Sequence, residues 1–215
     1  MFIEIKNLSK KYKDTLAVNN VNFNIEKNKT LGLLGPNGCG KTTSIGMMLG
    51  LIKPTSGEIL IDNKNIDSFR RDEILSRINF ASPYIELPKK LTVKQNLEVY
   101  GRLYGIKNLK IRIDEISEDL DIKSFFNRKT GELSSGQKNR VSLAKSLINK
   151  PEILLLDEPT ASLDPDIGDF VRTYIQKYRS KNQVTVLLAS HNMNEVERLC
   201  DSIIMMKKGK IIDRG

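Results

Sequence analysis

The sequence predicts an α/β fold with two lobes, in which a helical segment interrupts a core of alternating strands and helices. Short apolar runs alternate with helical patterns along the chain, which favours this fold class. The middle of the chain, about residues 70–148, is mostly helical in pattern. Of the 215 residues, 39% are hydrophobic and 28% are charged, as is usual for a domain that buries a sizeable core.

Strands are expected ahead of the helical segment. The N-terminus alternates apolar and polar residues, as a half-buried strand does. A later apolar run ends at a glycine-rich turn, and another begins after a Pro-Thr-Ser-Gly turn. Turns of this composition commonly mark the ends of short strands. The predicted strands fall at Phe2–Ile5, Val21–Ile25, Leu31–Leu34 and Glu58–Asp62.

Helix starts and further strands are marked in the second half of the chain. Thr92 followed by Gln95 is a capping-box pattern. The helix that it opens should present one apolar side, made of Leu97, Tyr100, Leu103 and Tyr104. The apolar runs 153–156 and 184–188 are typical of strands buried on both faces. The pair Asp164–Pro165 predicts a helix start, with the carboxylate as N-cap and proline at the first helical position.

Composition excludes several function classes. The net charge is +9, but the basic residues are spread along the chain without an arginine-rich arm or an aromatic-interleaved patch, so no specific nucleic-acid partner is expected. No apolar run approaches the ~18 residues of a membrane span, and the N-terminus lacks the apolar region of a signal peptide. We therefore expect a cytoplasmic protein. Cys39 and Cys200 have no metal or redox spacing, which predicts free thiols.

The strongest chemical signal is the segment LLGPNGCGKTTS, residues 33–44, which contains G-x-x-x-x-G-K-[ST] between a strand and a helical pattern. Glycines let consecutive backbone N–H groups turn inward around phosphate oxygens, and the following helix presents its positive end to the same anion. Lys41 can reach the β- and γ-phosphates, and the Thr42 hydroxyl can bind Mg²⁺. The predicted nucleotide-binding residues here are Gly35, Pro36, Asn37, Gly38, Cys39, Gly40, Lys41, Thr42 and Thr43.

Two carboxylates follow the apolar run at 153–156. In a parallel α/β fold, a strand end lies at the same edge of the sheet as the phosphate loop. Asp157 is therefore expected to bind Mg²⁺, and Glu158 to orient or deprotonate the attacking water. An acidic pair at a strand end would otherwise be a solvated turn; the phosphate loop favours hydrolysis.

The segment Leu133–Gln137, LSSGQ, is another predicted helix start. Ser134 and Gln137 form a capping-box pattern, which alone would indicate only a helix cap. Placed between the phosphate loop and the acidic strand, the segment resembles the LSGGQ signature of ABC ATPases, with serine at the third position.

The resemblance to ABC ATPases covers nearly the whole chain, and its motifs occur in the family's order. Tyr12 in LSKKY matches the aromatic residue that stacks on adenine, and residues 162–164 match the D-loop. LLGPNGCGKTT matches Walker A, and ILLLDEP matches Walker B. A lone histidine after an apolar run is by default a strand-end residue, but His191 matches the switch histidine that contacts the γ-phosphate and helps to hold Glu158 and the water.

The resemblance implies a P-loop NTPase core with an N-terminal antiparallel β subdomain and a helical signature subdomain inserted in the middle. Residues 1–215 would form one domain, with 1–80 and 150–215 as the core and 85–148 as the helical part. Two subunits would enclose two ATP molecules. Each nucleotide would lie between the P-loop of one subunit and the signature residues Ser134, Ser135, Gly136 and Gln137 of the other.

The resemblance further implies a transporter subunit. It would bind ATP and Mg²⁺, pair with a second cassette, most simply an identical copy, and work with a separately encoded membrane permease at the cytoplasmic face. The segments 82–105 and 190–211 are most similar to those of exporter cassettes. The alternatives are a soluble ABC protein of translation or DNA repair, and a small-molecule P-loop kinase, which would have no use for the signature segment.

One departure from the family pattern concerns metal binding. Family members have a glutamine where a strand leaves the core for the helical part, and here the segment is Asn79–Tyr84, without glutamine. Alignment on the following residues places Ser82 or Pro83 there. We expect the Ser82 hydroxyl, or a water in its place, to complete the Mg²⁺ shell, since Mg²⁺ commonly keeps several waters.

Overall fold

The computed structural model describes residues 1–215, which form two compact units. The first unit contains residues 1–79, 152–158 and 183–215, and the second contains residues 80–151 and 159–182. None of the helices has the length and apolar character needed to cross a membrane. The division of the chain into 1–80 with 150–215 and 85–148 stays a prediction.

The strands, in chain order, are β1 (Ile3–Tyr12), β2 (Thr15–Ile25), β3 (Thr30–Leu34), β4 (Ser56–Ile61), β5 (Lys64–Asn65), β6 (Ile78–Ala81), β7 (Ile153–Asp157), β8 (Thr185–Ser190), β9 (Ser202–Lys207) and β10 (Lys210–Arg214). The helices are α1 (Lys41–Met48), α2 (Arg71–Ser76), α3 (Val93–Leu103), α4 (Leu109–Asp119), α5 (Ser135–Leu147), α6 (Pro165–Asn182) and α7 (Met193–Leu199). Two short 3-10 helices lie at Lys123–Phe125 and Thr130–Glu132.

The N-terminal strands build a four-stranded antiparallel sheet in the order β2-β1-β4-β5. Its central strand alternates apolar residues toward the interior, and Ile3, Ile5 and Leu8 are at most 1% exposed. This sheet confirms the antiparallel β subdomain expected at the N-terminus.

The second sheet has six strands in the order β10-β9-β3-β8-β7-β6. Strand β8 lies between β3 and β7 and is parallel to both, and β9 is parallel to β3 on its other side. Every residue of β3, β7 and β8 is buried. Continuous apolar runs are what a parallel sheet covered on both faces requires, and each fully buried Leu or Ile contributes about 1.5–3 kcal/mol.

The second unit is mainly helical. The capping box predicted at Thr92 and Gln95 is present and opens α3. The apolar side predicted for this helix is wrong at Leu103, which is 75% exposed, and at Tyr104, which is 38% exposed and caps the end of the helix, while Leu97 is fully buried. At Leu103 the reason is Gly101, where an added Cβ would lie 2.0 Å from the Leu109 side chain, so α3 packs through this glycine. Two residues beyond Gly101, Leu103 points to the other side of the helix.

Candidate nucleotide-hydrolysis site

Three neighbouring parallel strands end at the same edge of the sheet. Leu34 of β3 pairs with Ser190 of β8, and Asp157 of β7 pairs with Ala189 of β8. The phosphate loop follows β3 directly, Asp157 is the last residue of β7 with Glu158 next to it, and His191 follows β8. The carboxyl ends of the strands of an open α/β sheet are the usual place for ligands. The first unit therefore gathers these predicted residues at one edge.

The conformation of the phosphate loop depends on its glycines. Gly38 and Gly40 have φ angles of +77° and +109°, which side-chain-bearing residues rarely adopt. A Cβ on Gly40 would lie 2.6 Å from the carbonyl oxygen of Ala17, and one on Gly35 would lie 2.3 Å from that of Met206. On Gly38 it would meet nothing within 4 Å. Backbone from two distant segments thus closes around the loop and leaves the region beside Gly38 open.

Lys41 begins α1 directly after the loop and is 5% exposed. Its Nζ donates hydrogen bonds to the carbonyl oxygens of Gly35, at 2.6 Å, and Pro36, at 3.3 Å. The same nitrogen lies 3.5 Å from Glu158 Oε1. The ammonium group is thus held inside the loop, where a phosphate oxygen would compete with these carbonyl groups for it.

Thr42 and Asp157 form a pair of oxygen donors. The Thr42 hydroxyl donates to Asp157 Oδ2 at 2.7 Å, while Asp157 Oδ1 is buried without a hydrogen-bond partner. Burial raises the pKa of Asp157, although the Thr42 hydrogen bond opposes this. Hydroxyl and carboxylate oxygens are the donors that Mg²⁺ prefers, so the orphan oxygen fits such an ion. No group of three or more His, Cys, Asp or Glu side chains is placed so that it could hold a metal ion by itself.

Glu158 is held in a strained position beside this pair. Its φ angle is +54°, in the left-handed region, which costs a non-glycine residue about 1–2 kcal/mol. Its backbone N–H donates to the carbonyl oxygen of Ala189 at 2.8 Å, and its side chain is 7% exposed. His191 Nδ1 lies 2.7 Å from Glu158 Oε2, and the histidine side chain is 53% exposed. Glu158 Oε1 accepts no hydrogen bond.

These groups have the composition of a hydrolytic site. A carboxylate can accept a proton from water when it is held within hydrogen-bond reach. An ammonium group held in the loop, like that of Lys41, can offset the negative charge of a phosphoryl group, and an imidazole 2.7 Å from a carboxylate oxygen can hold that carboxylate in one orientation. The unpartnered oxygen of Asp157 suits a metal ion, and the Lys41 ammonium group, held by loop carbonyl groups, suits the charged phosphate ester that the ion would accompany.

Comparison with known proteins assigns the family. Residues 18–161 match the ABC transporter family. The chain is 37% identical to the ABC transporter ATP-binding protein NatA of Bacillus subtilis (strain 168), over 99% of this chain and 89% of the relative.

The chain belongs to the ABC transporter ATPase family.

Two further relatives of this ABC ATPase differ in the direction of transport that their names state. The Nod factor export ATP-binding protein I of Burkholderia orbicola (strain AU 1054) is 35% identical over 99% of this chain and 70% of its own length. The methionine import ATP-binding protein MetN of Staphylococcus haemolyticus (strain JCSC1435) is 34% identical over 99% of this chain and 65% of its own length. The direction of transport therefore does not follow from the relatives.

Solved ABC cassettes confirm the fold. A dimeric ATP-binding cassette in a post-hydrolysis state bound to ADP and Pi matches with a TM-score of 0.90 and 30% identity, over 99% of this chain and 97% of that chain. A cassette from Clostridium perfringens, part of the ABC transporter complex cbiONQ, matches with a TM-score of 0.86 and 31% identity, over 100% of this chain and 88% of that one.

Tyr12 lies at the end of β1 in this ABC ATPase and is 45% exposed. Lys10 Nζ is 5.0 Å from the centre of its ring, within cation–π range. Across the same hairpin, Ala17 of β2 contacts Gly40, which links this edge of the antiparallel sheet to the phosphate loop. The role of Tyr12 toward adenine stays a prediction.

The signature residues lie in the second unit and adopt the predicted cap. Ser134 Oγ accepts from the Gln137 N–H, and Gln137 Oε1 accepts from the Ser134 N–H, at 3.3 and 3.1 Å. Helix α5 begins at Ser135. A Cβ on Gly136 would lie 2.7 Å from Ile167 Cδ1, at the end of that side chain, so α5 and α6 approach each other closely at this glycine. The four residues therefore form one helix start that is held by a capping box.

Ser82 is 4% exposed, and its Oγ accepts the Tyr84 N–H at 3.3 Å. It lines a small cavity together with Asn139 and Ser142. The hydroxyl therefore has a local partner within the second unit, and its role toward Mg²⁺ stays a prediction.

Several long-range contacts were missed from sequence. Asn139 in α5 donates to the Pro159 carbonyl oxygen at 2.7 Å, and no local pattern marks this contact. The Gly209 N–H donates to the Cys39 carbonyl oxygen at 3.0 Å across 170 positions of sequence, which pattern reasoning also misses. Ser190 and Glu195, which flank the histidine, had a signal: Asn192 with Glu195 is an N-cap pattern after an apolar run.

Proposed function

We propose that this ABC ATPase is the subunit that hydrolyses ATP with Mg²⁺ to power export through a separately encoded membrane permease. The observation that supports ATP hydrolysis is the cluster of Lys41, Glu158 and His191 beside the Thr42–Asp157 pair. Each group is held by contacts within the first unit, as a pre-organised site requires.

The roles proposed for the residues follow from their positions. Lys41 exchanges its contacts with the loop carbonyl groups for phosphate oxygens, and the loop from Gly35 to Thr43 donates backbone N–H groups to them. Thr42 and Asp157 hold Mg²⁺, which offsets negative charge on the phosphates when bound. Glu158 orients the water and takes its proton, and His191 holds the Glu158 carboxylate in place. Tyr12 stacks on adenine.

A second copy of the chain is the proposed partner across the nucleotide. Ser134, Ser135, Gly136 and Gln137 would contact the ATP held by the other copy. The rigid capping box at Ser134 supports this role because it fixes the first turn of α5. The dimeric cassette among the solved structures supports the same arrangement. Binding of ATP would close the pair, and hydrolysis would reopen it.

Because its proposed partner is a membrane permease, the protein is proposed to act at the cytoplasmic face of the cell membrane. The support comes from the cassette that is part of a transporter complex, and from relatives named as subunits of transporters. Export is proposed on the resemblance of residues 82–105 and 190–211 to exporter cassettes. The soluble alternative in translation or DNA repair has no comparable support.

Two experiments test this proposal. The first measures phosphate release by the purified chain with ATP, with and without Mg²⁺; transfer to a small-molecule acceptor without free phosphate would instead indicate a kinase. The second is affinity purification from expressing cells in mild detergent. Near-stoichiometric recovery of a multi-span membrane protein is expected, whereas ribosomes or repair proteins without a membrane protein would contradict the transporter assignment.

A further inference from the structure

The segment that runs from the end of β8 into α7 contains a closed ring of three hydrogen bonds beside His191. Ser190 Oγ donates to Glu195 Oε2 at 2.6 Å. The Asn192 N–H donates to Ser190 Oγ at 3.1 Å, and the Glu195 N–H donates to Asn192 Oδ1 at 3.4 Å. The ring therefore joins the residue before the histidine to the residue after it, and both to the first turn of α7.

The residues of this segment differ strongly in solvent exposure. Ser190 is fully buried and Glu195 is 2% exposed, whereas the His191 side chain is 53% exposed. A half-exposed imidazole gains little orientation from packing, so its direction depends on the backbone that carries it. That backbone is held by the ring, and the imidazole reaches Glu158 at 2.7 Å.

The ring is more than an ordinary helix cap. In a capping box, the glutamate at the third helical position accepts the N–H of the N-cap residue. Here the N–H of the N-cap, Asn192, goes to Ser190 Oγ, and the Glu195 carboxylate binds that hydroxyl instead. Burial of a carboxylate costs free energy that helix capping alone does not require. The carboxylate therefore fixes the serine hydroxyl, which in turn fixes the backbone beside His191.

We propose that Ser190 and Glu195 are positioning residues, which hold His191 so that its imidazole stays on the Glu158 carboxylate during turnover. This inference rests on the proposed role of His191. Neither residue touches the nucleotide in this account, and both act through the histidine. Small misplacements of a catalytic group can lower rates by about 100-fold, so loss of the ring should be visible in kcat.

The test compares variants of the ring with a matched control. Ser190→Ala and Glu195→Ala should each lower kcat for ATP by about tenfold or more, with less than about a twofold change in KM, because the interaction matters in the reacting state. Glu195→Gln retains an oxygen acceptor for the serine hydroxyl and should keep most of the activity. Glu197→Ala, an exposed glutamate on the same helix, should leave kcat unchanged. Equal losses of kcat in Glu195→Gln and Glu195→Ala would contradict a role for the hydrogen bond between Ser190 and Glu195.

A double-mutant cycle separates positioning from mere stability. In a His191→Ala background, Glu195→Ala should cause no further loss of kcat, because the residue through which it acts is absent. The same factor of loss in both backgrounds would overturn the inference. If His191→Ala alone retained full turnover, the proposed role of the histidine would fail first, which is a distinguishable result. Ser190→Ala completes the same cycle if Glu195→Ala does not fold.

Discussion

Alanine substitutions at two glycines of the phosphate loop should have very different effects on stability. Both Gly38 and Gly40 have positive φ angles, so alanine at either position carries a conformational cost of about 1–2 kcal/mol. At Gly40 the new Cβ would also lie 2.6 Å from the backbone oxygen of Ala17, an atom that cannot move aside as a flexible side chain can. Overpacking of this kind adds about 1–3 kcal/mol. At Gly38 nothing lies within 4 Å, so no such addition is expected.

The midpoints of these ranges give totals of about 3.5 kcal/mol for Gly40→Ala and about 1.5 kcal/mol for Gly38→Ala. In a chain of this size, 1 kcal/mol corresponds to a Tm change of about 2–4 °C. Thermal unfolding of the nucleotide-free proteins, followed by circular dichroism or calorimetry, should place Gly40→Ala at least about 4 °C below Gly38→Ala. Equal Tm values for the two variants would refute the reasoning that the antiparallel hairpin closes against the phosphate loop at Gly40.

Three further predictions concern the site. His191→Ala should lower turnover by about 100-fold while leaving Tm nearly unchanged, because its side chain is half exposed; near wild-type turnover would make it a strand-end residue only. Asp157→Asn should raise the Tm of the nucleotide-free protein and remove Mg²⁺-dependent turnover. Burial raises the pKa of Asp157 above its unfolded value, so the charged carboxylate destabilises the fold at neutral pH; an unchanged or lower Tm would contradict this sign. Ser82→Ala should retain most Mg²⁺-dependent phosphate release because a water can replace the hydroxyl; complete loss would contradict that exchange.

Short sequence patterns predict those parts of the structure that depend on interactions between residues close together in the chain. The capping boxes at Thr92 and Ser134 are present because the side chain and backbone groups that form them lie within one helical turn. The phosphate loop is recognisable for a similar reason, since its glycines and Lys41 act within a few residues. The central strands were identified from apolar runs, which parallel strands buried on both faces need.

The remaining features depend on contacts between distant parts of the chain. Leu103 is exposed because Gly101 brings α3 against Leu109, and a periodic apolar pattern carries no information about that approach. Glu158 combines a left-handed backbone with a hydrogen bond from its N–H to Ala189 in the neighbouring strand, and no local sequence pattern indicates either feature. The bond between Gly209 and Cys39 likewise exists only once the sheet has formed. Tertiary context thus determines the geometry of Glu158, although the sequence already predicts this residue as the base.

The measurement that tests the account most directly compares ATP turnover and ATP binding in Glu158→Gln, with Glu197→Gln as the control. A general base contributes about 10²–10⁴-fold to a reaction, so phosphate release by Glu158→Gln should fall by at least about 100-fold. ATP affinity should be retained, because the phosphate loop, Lys41 and Thr42 are unchanged, and ATP should trap a dimer that the wild type forms only transiently. Full turnover in Glu158→Gln, or loss of ATP binding with it, would contradict the assignment of Glu158 as the base.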